Sequence, residues 1–216
     1  EPAEVEPFIR TGGWRGINVT IPYKHRAFEL ADEASMRAQR LGVANTLVRR
    51  PDGSIYADNT DYAGFAWMLE RFAQRALGAP AREALAGAKA LVLGTGGASQ
   101  AVQAALSDAG AHVTVISRTG ESSYDTLTER QGDAALVVNA TPVGMYPACP
   151  ASPLSERHLD GLPHLRGILD VIYNPLRTGL CLMAEERHVP CESGLAMLVG
   201  QAVRSSELFQ GRTIPD

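Results

Sequence analysis

"KALVLGTGGASQAVQAALSDAGAHVTVISRT", residues 89–119, sets the frame for the whole chain. Two apolar runs, "ALVLG" and "HVTVIS", enclose a glycine turn and an alanine-rich helical segment. Side chains alternate between the faces of a strand, so a strand apolar throughout must be covered on both faces. Strand, tight turn, helix and strand is the repeating unit of a parallel sheet. Two more such runs follow, "AALVVNA" (134–140) and "GILDVIY" (167–173), with a helical pattern at 176–187. The expected fold is therefore α/β, with a Rossmann-type doubly wound parallel sheet over about residues 86–190.

Upstream the pattern is different. "GINVTIPYKHRAFELA" (16–31) predicts a strand over 16–21, a break at Pro22 and a helix over 23–31; a second helix is expected over 35–41. "NTLVRRPDGSIYADN" (45–59) predicts a hairpin around Pro51-Asp52-Gly53. A helix should follow from Asp61 to Arg75, capped by Thr60 or Asp61. Residues 78–89 read as a connector, and 194–209 as an apolar-striped helix opening on a glycine. Two lobes result. Residues 1–64, with the C-terminal helix of 194–216, form a smaller α/β lobe. Residues 65–193 form a connecting helix and the nucleotide-type lobe.

The composition excludes several classes. The 216 residues are 45% hydrophobic and 20% charged, with a net charge of −4. That balance argues against electrostatic binding to nucleic acid or an acidic membrane. No apolar run reaches the roughly 18–20 residues of a membrane span. No signal peptide is visible, and the chain opens "EPAEVEPF" rather than with Met. Cys149, Cys181 and Cys191 lack metal or redox spacing and read as unpaired thiols of a cytoplasmic protein. The five histidines show no ligand spacing, so no metal is expected.

"LGTGGAS" places Gly94, Thr95, Gly96, Gly97 and Ala98 between a strand and a helix, where main-chain amides can face a pyrophosphate. Position 99 is Ser, not the third glycine of a dinucleotide fingerprint. Alone, the motif reads either as a cofactor cradle or as a plain tight turn. The next strand ends Ser117-Arg118-Thr119 with no carboxylate for a ribose diol. A guanidinium and two hydroxyls suit a 2′-phosphate, hence NADP; the alternative is an ordinary exposed arginine. Lys24 follows a strand and a proline, and Asp61 sits where a strand gives way to a helix. A lysine–carboxylate pair can move a proton, but spacing alone favours a solvated lysine and a helix-capping aspartate.

"GINVTIPYK", "GVANTLV", "NTDYAGF", "GTGGAS", "SRT", "VNATPVGM", "DVIYNPLRT" and "GLAMLVGQA" occur in this order over nearly the whole chain. Together they resemble the shikimate dehydrogenase family, NADP-dependent enzymes that interconvert 3-dehydroshikimate and shikimate on the route to chorismate and the aromatic amino acids. The segment between "SRT" and "VNATP" resembles a shorter-loop branch. The resemblance implies Lys24 as the acid/base, with Asp61 beside it. It implies that Thr20 and Asn45 bond ring hydroxyls, that Asn59 orders the site, and that Tyr173 and Gln201 reach the substrate. Gly94, Thr95, Gly96, Gly97, Ala98, Ser117, Arg118 and Thr119 would bind NADP. "VNATPVGM" would pass under the nicotinamide, and Val171 and Gly194 would meet it through their backbone. The partner implied is a small molecule, and the protein a monomer or homodimer.

The family also begins with a strand–helix–strand segment carrying a pair of serines for the substrate carboxylate. That motif is missing, and residues 1–15 match only the helix leading into "GINVT". An N-terminally incomplete chain is expected, holding NADP normally and shikimate poorly. Two alternatives accompany the main reading: an NAD-using quinate/shikimate dehydrogenase, against which Arg118 argues, and a non-catalytic nucleotide-binding relative.

Overall fold

A computed structural model of the chain describes residues 2–215. Their contacts form two units: the chain up to Gly64 together with the residues from Val199 on, and Phe65–Leu198.

The first unit opens with helix α1 (Pro2–Thr11) and strand β1 (Gly16–Asn18). Then come α2 (Lys24–Glu29), β2 (Glu33–Ala34), α3 (Met36–Leu41), β3 (Thr46–Arg49), β4 (Ile55–Asp58) and α4 (Thr60–Phe72). The sheet order is β1-β3-β4-β2, with β3–β4 the antiparallel hairpin and β2 parallel to β4. Asp52 Oδ1 accepts the main-chain N–H of Ser54 at 2.9 Å, the local bond that makes this turn. Ile9, Leu30, Leu47 and Ile55 close a core between α1, α2 and the hairpin.

Two expectations here are corrected. β1 stops at Asn18, not residue 21: Tyr23 N donates to Thr20 O at 2.9 Å, so this backbone closes a turn instead of extending the ladder. The cap of α4 is Asn59, one residue earlier than expected, because its Oδ1 accepts from Tyr62 N at 3.1 Å. The α-helix ends at Phe72 and runs on into a π-helical turn, Ala73–Leu77.

The second unit carries α5 (Ala81–Ala84), β5 (Lys89–Leu93), α6 (Gly97–Asp108), β6 (His112–Ile116), α7 (Leu127–Arg130) and β7 (Leu136–Asn139). It continues with α8 (Glu156–Asp160), β8 (Gly167–Asp170), α9 (Gly179–Glu186), β9 (Cys191–Glu192) and the start of α10 (Leu195–Gln210). The five strands are parallel in the order β6-β5-β7-β8-β9. This is the doubly wound α/β arrangement expected, and the order reverses between β5 and β7, where such folds bind ligands. Leu91, Leu93, Ile116, Val137, Ile168 and Leu180 lie in its core, fully buried. Each contributes about 1.5–3 kcal/mol through the area it removes from water. β9 has two residues, too few to show a period in the sequence.

β7 and β8 end sooner than their apolar runs, on Asn139 and Asp170, both fully buried. Asp170 Oδ1 accepts from Asn139 Nδ2 and Ile172 N, each at 3.0 Å, and Oδ2 from the Thr178 hydroxyl at 2.8 Å. Asn139 Oδ1 in turn holds Thr141 N at 3.0 Å. The two side chains thus tie down the loops that leave the sheet at neighbouring strand ends. Burial pushes the Asp170 carboxyl above the usual carboxylate range, against the pull of those three donors.

A raised carboxyl favours the protonated form in the folded state. Its contribution is therefore lost as pH climbs from the ordinary carboxylate value through the folded one. Asp170→Asn keeps one oxygen to accept from Asn139 Nδ2 and Ile172 N, turns an amide N–H toward the Thr178 oxygen, which can accept it, and sheds the charge. Its stability should stay within about 1 kcal/mol of the parent at low pH and gain on it as pH rises to neutral. Asp170→Ala orphans buried donors and should cost about 2–4 kcal/mol. Thermal or urea melts from about pH 4 to pH 8 check this; equal stability of the two variants would contradict it.

Candidate active site

Three main-chain hydrogen bonds draw separate segments of the first unit to one residue and its neighbour. Val19 N donates to Asn45 O at 2.7 Å, Asn45 N to Asp58 O at 3.1 Å, and Ala44 N to Lys24 O at 3.0 Å. The first residue of α2, the residue before β3 and the beginning of α4 are thereby gathered together. Lys24 Nζ lies 2.6 Å from Asp61 Oδ2, and the two side chains are only 13% and 12% exposed. Asp61 Oδ1 accepts from Asn45 Nδ2 at 2.9 Å.

The Asn45 amide can face only one way. Its Oδ1 receives Thr60 N at 2.7 Å, and a main-chain N–H can only donate. The nitrogen is therefore the atom turned to Asp61. A shielded ion pair of this kind adds little net stability, because desolvation offsets the attraction. A lysine held against a carboxylate can, however, pass a proton to or from a substrate oxygen.

Behind Asn45 stand three buried hydroxyls. Thr46 Oγ1 is 3.1 Å from Thr60 Oγ1 and 3.0 Å from Ser205 Oγ, and the last two are 3.0 Å apart. Both threonine hydroxyls also reach Asn45 Oδ1 at 3.2 Å. Thr60 Oγ1 lies 3.5 Å from Gln201 Oε1, one helical turn before Ser205 on α10. Lys24, Asn45, Asp61 and, through Thr60, Gln201 are thus one connected cluster. Asn59 works one step back: its amide caps α4 and donates to Val43 O at 3.3 Å. Thr20 is exposed in the turn that leads to Lys24.

The residues marked for a dinucleotide belong to the second unit. Gly94 follows β5 at φ +99°, and a Cβ there would fall 2.8 Å from Thr141 Cγ2, so only glycine fits. Gly96 precedes the 12-residue helix α6, has no side-chain cap, and faces open space where its Cβ would be. The Ser at position 99 has its own reason: it is buried, donates to Gly94 O at 2.6 Å and accepts from Gln103 at 2.9 Å. It therefore fastens the turn to the helix. Thr95 is exposed, and Gly97 and Ala98 are half-buried in the first turn of α6. This cradle of free amides at a helix N-terminus fits a pyrophosphate.

Beyond β6, Arg118 and Thr119 are exposed, and Ser117 is fixed by a bridge to Ser123 and a bond from its N to Ser122 O at 3.1 Å. Val171 and Gly194 are brought together: a Cβ on Gly194 would fall 2.0 Å from Val171 O, and Gly194 N donates to Ile172 O at 2.9 Å. Only backbone fits there. Tyr173, two residues further on from Val171, is 50% exposed.

Several residues escaped the sequence reading. Thr46 and Thr60 sit next to Asn45 and Asn59 within the motifs, and Ser205 is a small polar residue four positions after Gln201; those spacings were the available signal. Asp58 gave none. It is buried, bound by Arg37 Nε at 2.7 Å and Ser35 Oγ at 2.5 Å, and its Oδ1 also accepts Asn59 N at 2.8 Å.

Comparison with known proteins shows the descent of the chain as a whole. A family model described as the shikimate dehydrogenase substrate binding domain matches residues 2–47. The chain is 37% identical over 225 residues to a shikimate dehydrogenase (NADP(+)) of Dinoroseobacter shibae, covering 97% of this chain and 77% of that protein. Among solved structures, shikimate dehydrogenase 1 of Peptoclostridium difficile superposes with a TM-score of 0.84 at 32% identity, over 99% of this chain and 78% of that one. The shikimate 5-dehydrogenase of Thermus thermophilus, in complex with NADP(H) and shikimate, gives 0.77 at 32% identity, over 100% and 79%. Identity at this level across nearly the whole chain, on the same doubly wound sheet, settles descent: the chain belongs to the shikimate dehydrogenase family.

Proposed function

We infer that this chain carries out the NADP-dependent interconversion of shikimate and 3-dehydroshikimate, with Lys24 moving the proton. The observation that carries the reading is the shielded Lys24–Asp61 pair at 2.6 Å, locked by Asn45. The first unit is then the substrate lobe. Lys24 and Asp61 form its centre, Thr20 and Asn45 meet ring hydroxyls, Asn59 holds the helix start, and Gln201 adds a further contact. The second unit is the NADP lobe. Gly94 to Ala98 hold the pyrophosphate, Ser117, Arg118 and Thr119 the 2′-phosphate, and the backbone at Val171 and Gly194 the nicotinamide end.

NADPH supplies the hydride when bound. The protein's part is orientation and the proton. Lys24 donates from Nζ to the ketone oxygen, so the alcohol forms without a free alkoxide, and the amine then takes a proton from water. Asp61 accepts from both Lys24 and Asn45, which keeps the ammonium aimed while the substrate binds. The reverse reaction runs through the same groups. No described helix is long and apolar enough to cross a membrane. All three cysteines are free thiols, which fits the reducing cytoplasm.

Lys24→Ala should lower kcat by about two to four orders of magnitude and change the KM for shikimate far less. Steady-state assay of NADPH formation checks this. Turnover near the parent's would make the lysine a bystander.

Arg118→Ala should weaken NADP binding by roughly ten- to a hundredfold, as expected for losing a charge-assisted bond, and leave NAD almost unchanged. Calorimetric titration of both cofactors decides it. Equal losses would remove the 2′-phosphate from Arg118.

A further inference from the structure

We propose that Ser205 is a positioning residue of the reaction, acting through the Thr46–Thr60–Ser205 hydroxyl triangle on the Asn45 amide. The inference rests on the Lys24–Asp61 reading and deepens it. Ser205 is 1% exposed, and Thr46 and Thr60 are 0% exposed, so water cannot replace a lost partner. Each edge of the triangle is 3.0 or 3.1 Å. A hydroxyl has a single hydrogen to give, so the three must share donors among themselves and their outward acceptors.

Those acceptors are the points of interest. Asn45 Oδ1 is within 3.2 Å of both threonine hydroxyls, Asn18 Oδ1 is 3.3 Å from Thr46, and Gln201 Oε1 is 3.5 Å from Thr60. With three edges and three hydrogens, a threonine can turn its hydrogen outward without leaving its side of the triangle unbonded if a neighbouring hydroxyl donates to it. Ser205, which comes from α10, is the group placed to donate to either. The threonine that accepts this one hydrogen keeps its own for Asn45 Oδ1. With Oδ1 held, Asn45 Nδ2 stays on Asp61, and Asp61 stays on Lys24. Ser205 acts on Asp61 and Lys24 only through the residues between.

Ser205→Ala removes the hydroxyl on a helix position where alanine is the best helix former. It should lower kcat by about tenfold, as a small misplacement of a catalytic pair does, with the KM for NADP unchanged. Asn45→Ala breaks the same chain one link nearer the centre. In that background Ser205→Ala should change kcat by less than about twofold, because the link it acts through is already gone. Thr46→Val should reproduce the loss seen in Ser205→Ala, and Thr46→Ser, which keeps the hydroxyl, should retain more turnover than Thr46→Val. The Thr46 pair also covers the case in which Ser205→Ala does not fold. Parent-like kcat in Ser205→Ala, or the same fractional loss with and without Asn45, would overturn the proposal. Lys24→Ala measured alongside separates the two readings. If it turns over normally, the lysine assignment fails; if it is inactive while Ser205→Ala is parent-like, only the positioning role fails.

Discussion

A buried amide must meet each of its groups with a partner of opposite polarity, and Asn45 meets this requirement with groups from several segments. Its main-chain N–H goes to Asp58, its carbonyl takes Val19, its Oδ1 takes Thr60, and its Nδ2 goes to Asp61. Rotating the side chain would set two donors against each other at Thr60 and two acceptors against each other at Asp61. The amide therefore has one orientation, and the carboxylate beside it inherits one position. Hydrophobic packing in this unit, from Ile9, Leu30, Leu47 and Ile55, brings the strands together but does not choose that position.

The energetics point the same way. The Lys24–Asp61 pair is largely withdrawn from water, where mutual attraction barely offsets desolvation. Apolar residues of similar volume would serve stability as well. The fold instead surrounds the pair with neutral hydrogen bonds that cost little and remove freedom. Asp58, bound by Arg37 and Ser35, repeats the device next door and fixes the residue that leads into the Asn59 cap. In the second unit, Asn139 and Asp170 do the same for two loops at the strand ends.

Much of this was written in local sequence. Both faces of β5 are covered, so its apolar run was unbroken and the doubly wound sheet could be read from it and the half-buried edge strand β6 beside it. The hairpin followed from Pro51-Asp52-Gly53. Strand ends were misjudged where polar side chains terminate the ladder, as at Asn139 and Asp170, because an apolar run continues past the last pairing residue. β2 and β9, two residues each, carry no period to read. The position of Lys24 could be marked by its place after Pro22, but its pairing with Asp61 depends on contacts between distant segments, and only resemblance supplied it. Ser205 lay outside every motif, since its role comes from the bonds its hydroxyl makes to Thr46 on β3 and Thr60 on α4.

Everything proposed for the chemistry requires that Lys24, aimed by Asp61 and Asn45, meet the oxygen of the reacting carbon. A crystal structure of the protein with shikimate and NADP bound tests that requirement most directly. It should place the hydroxyl that is oxidised within about 2.6–3.2 Å of Lys24 Nζ, with Asp61 still accepting from Asn45. A complex in which that hydroxyl is held by other groups, with Lys24 turned to solvent, would contradict it.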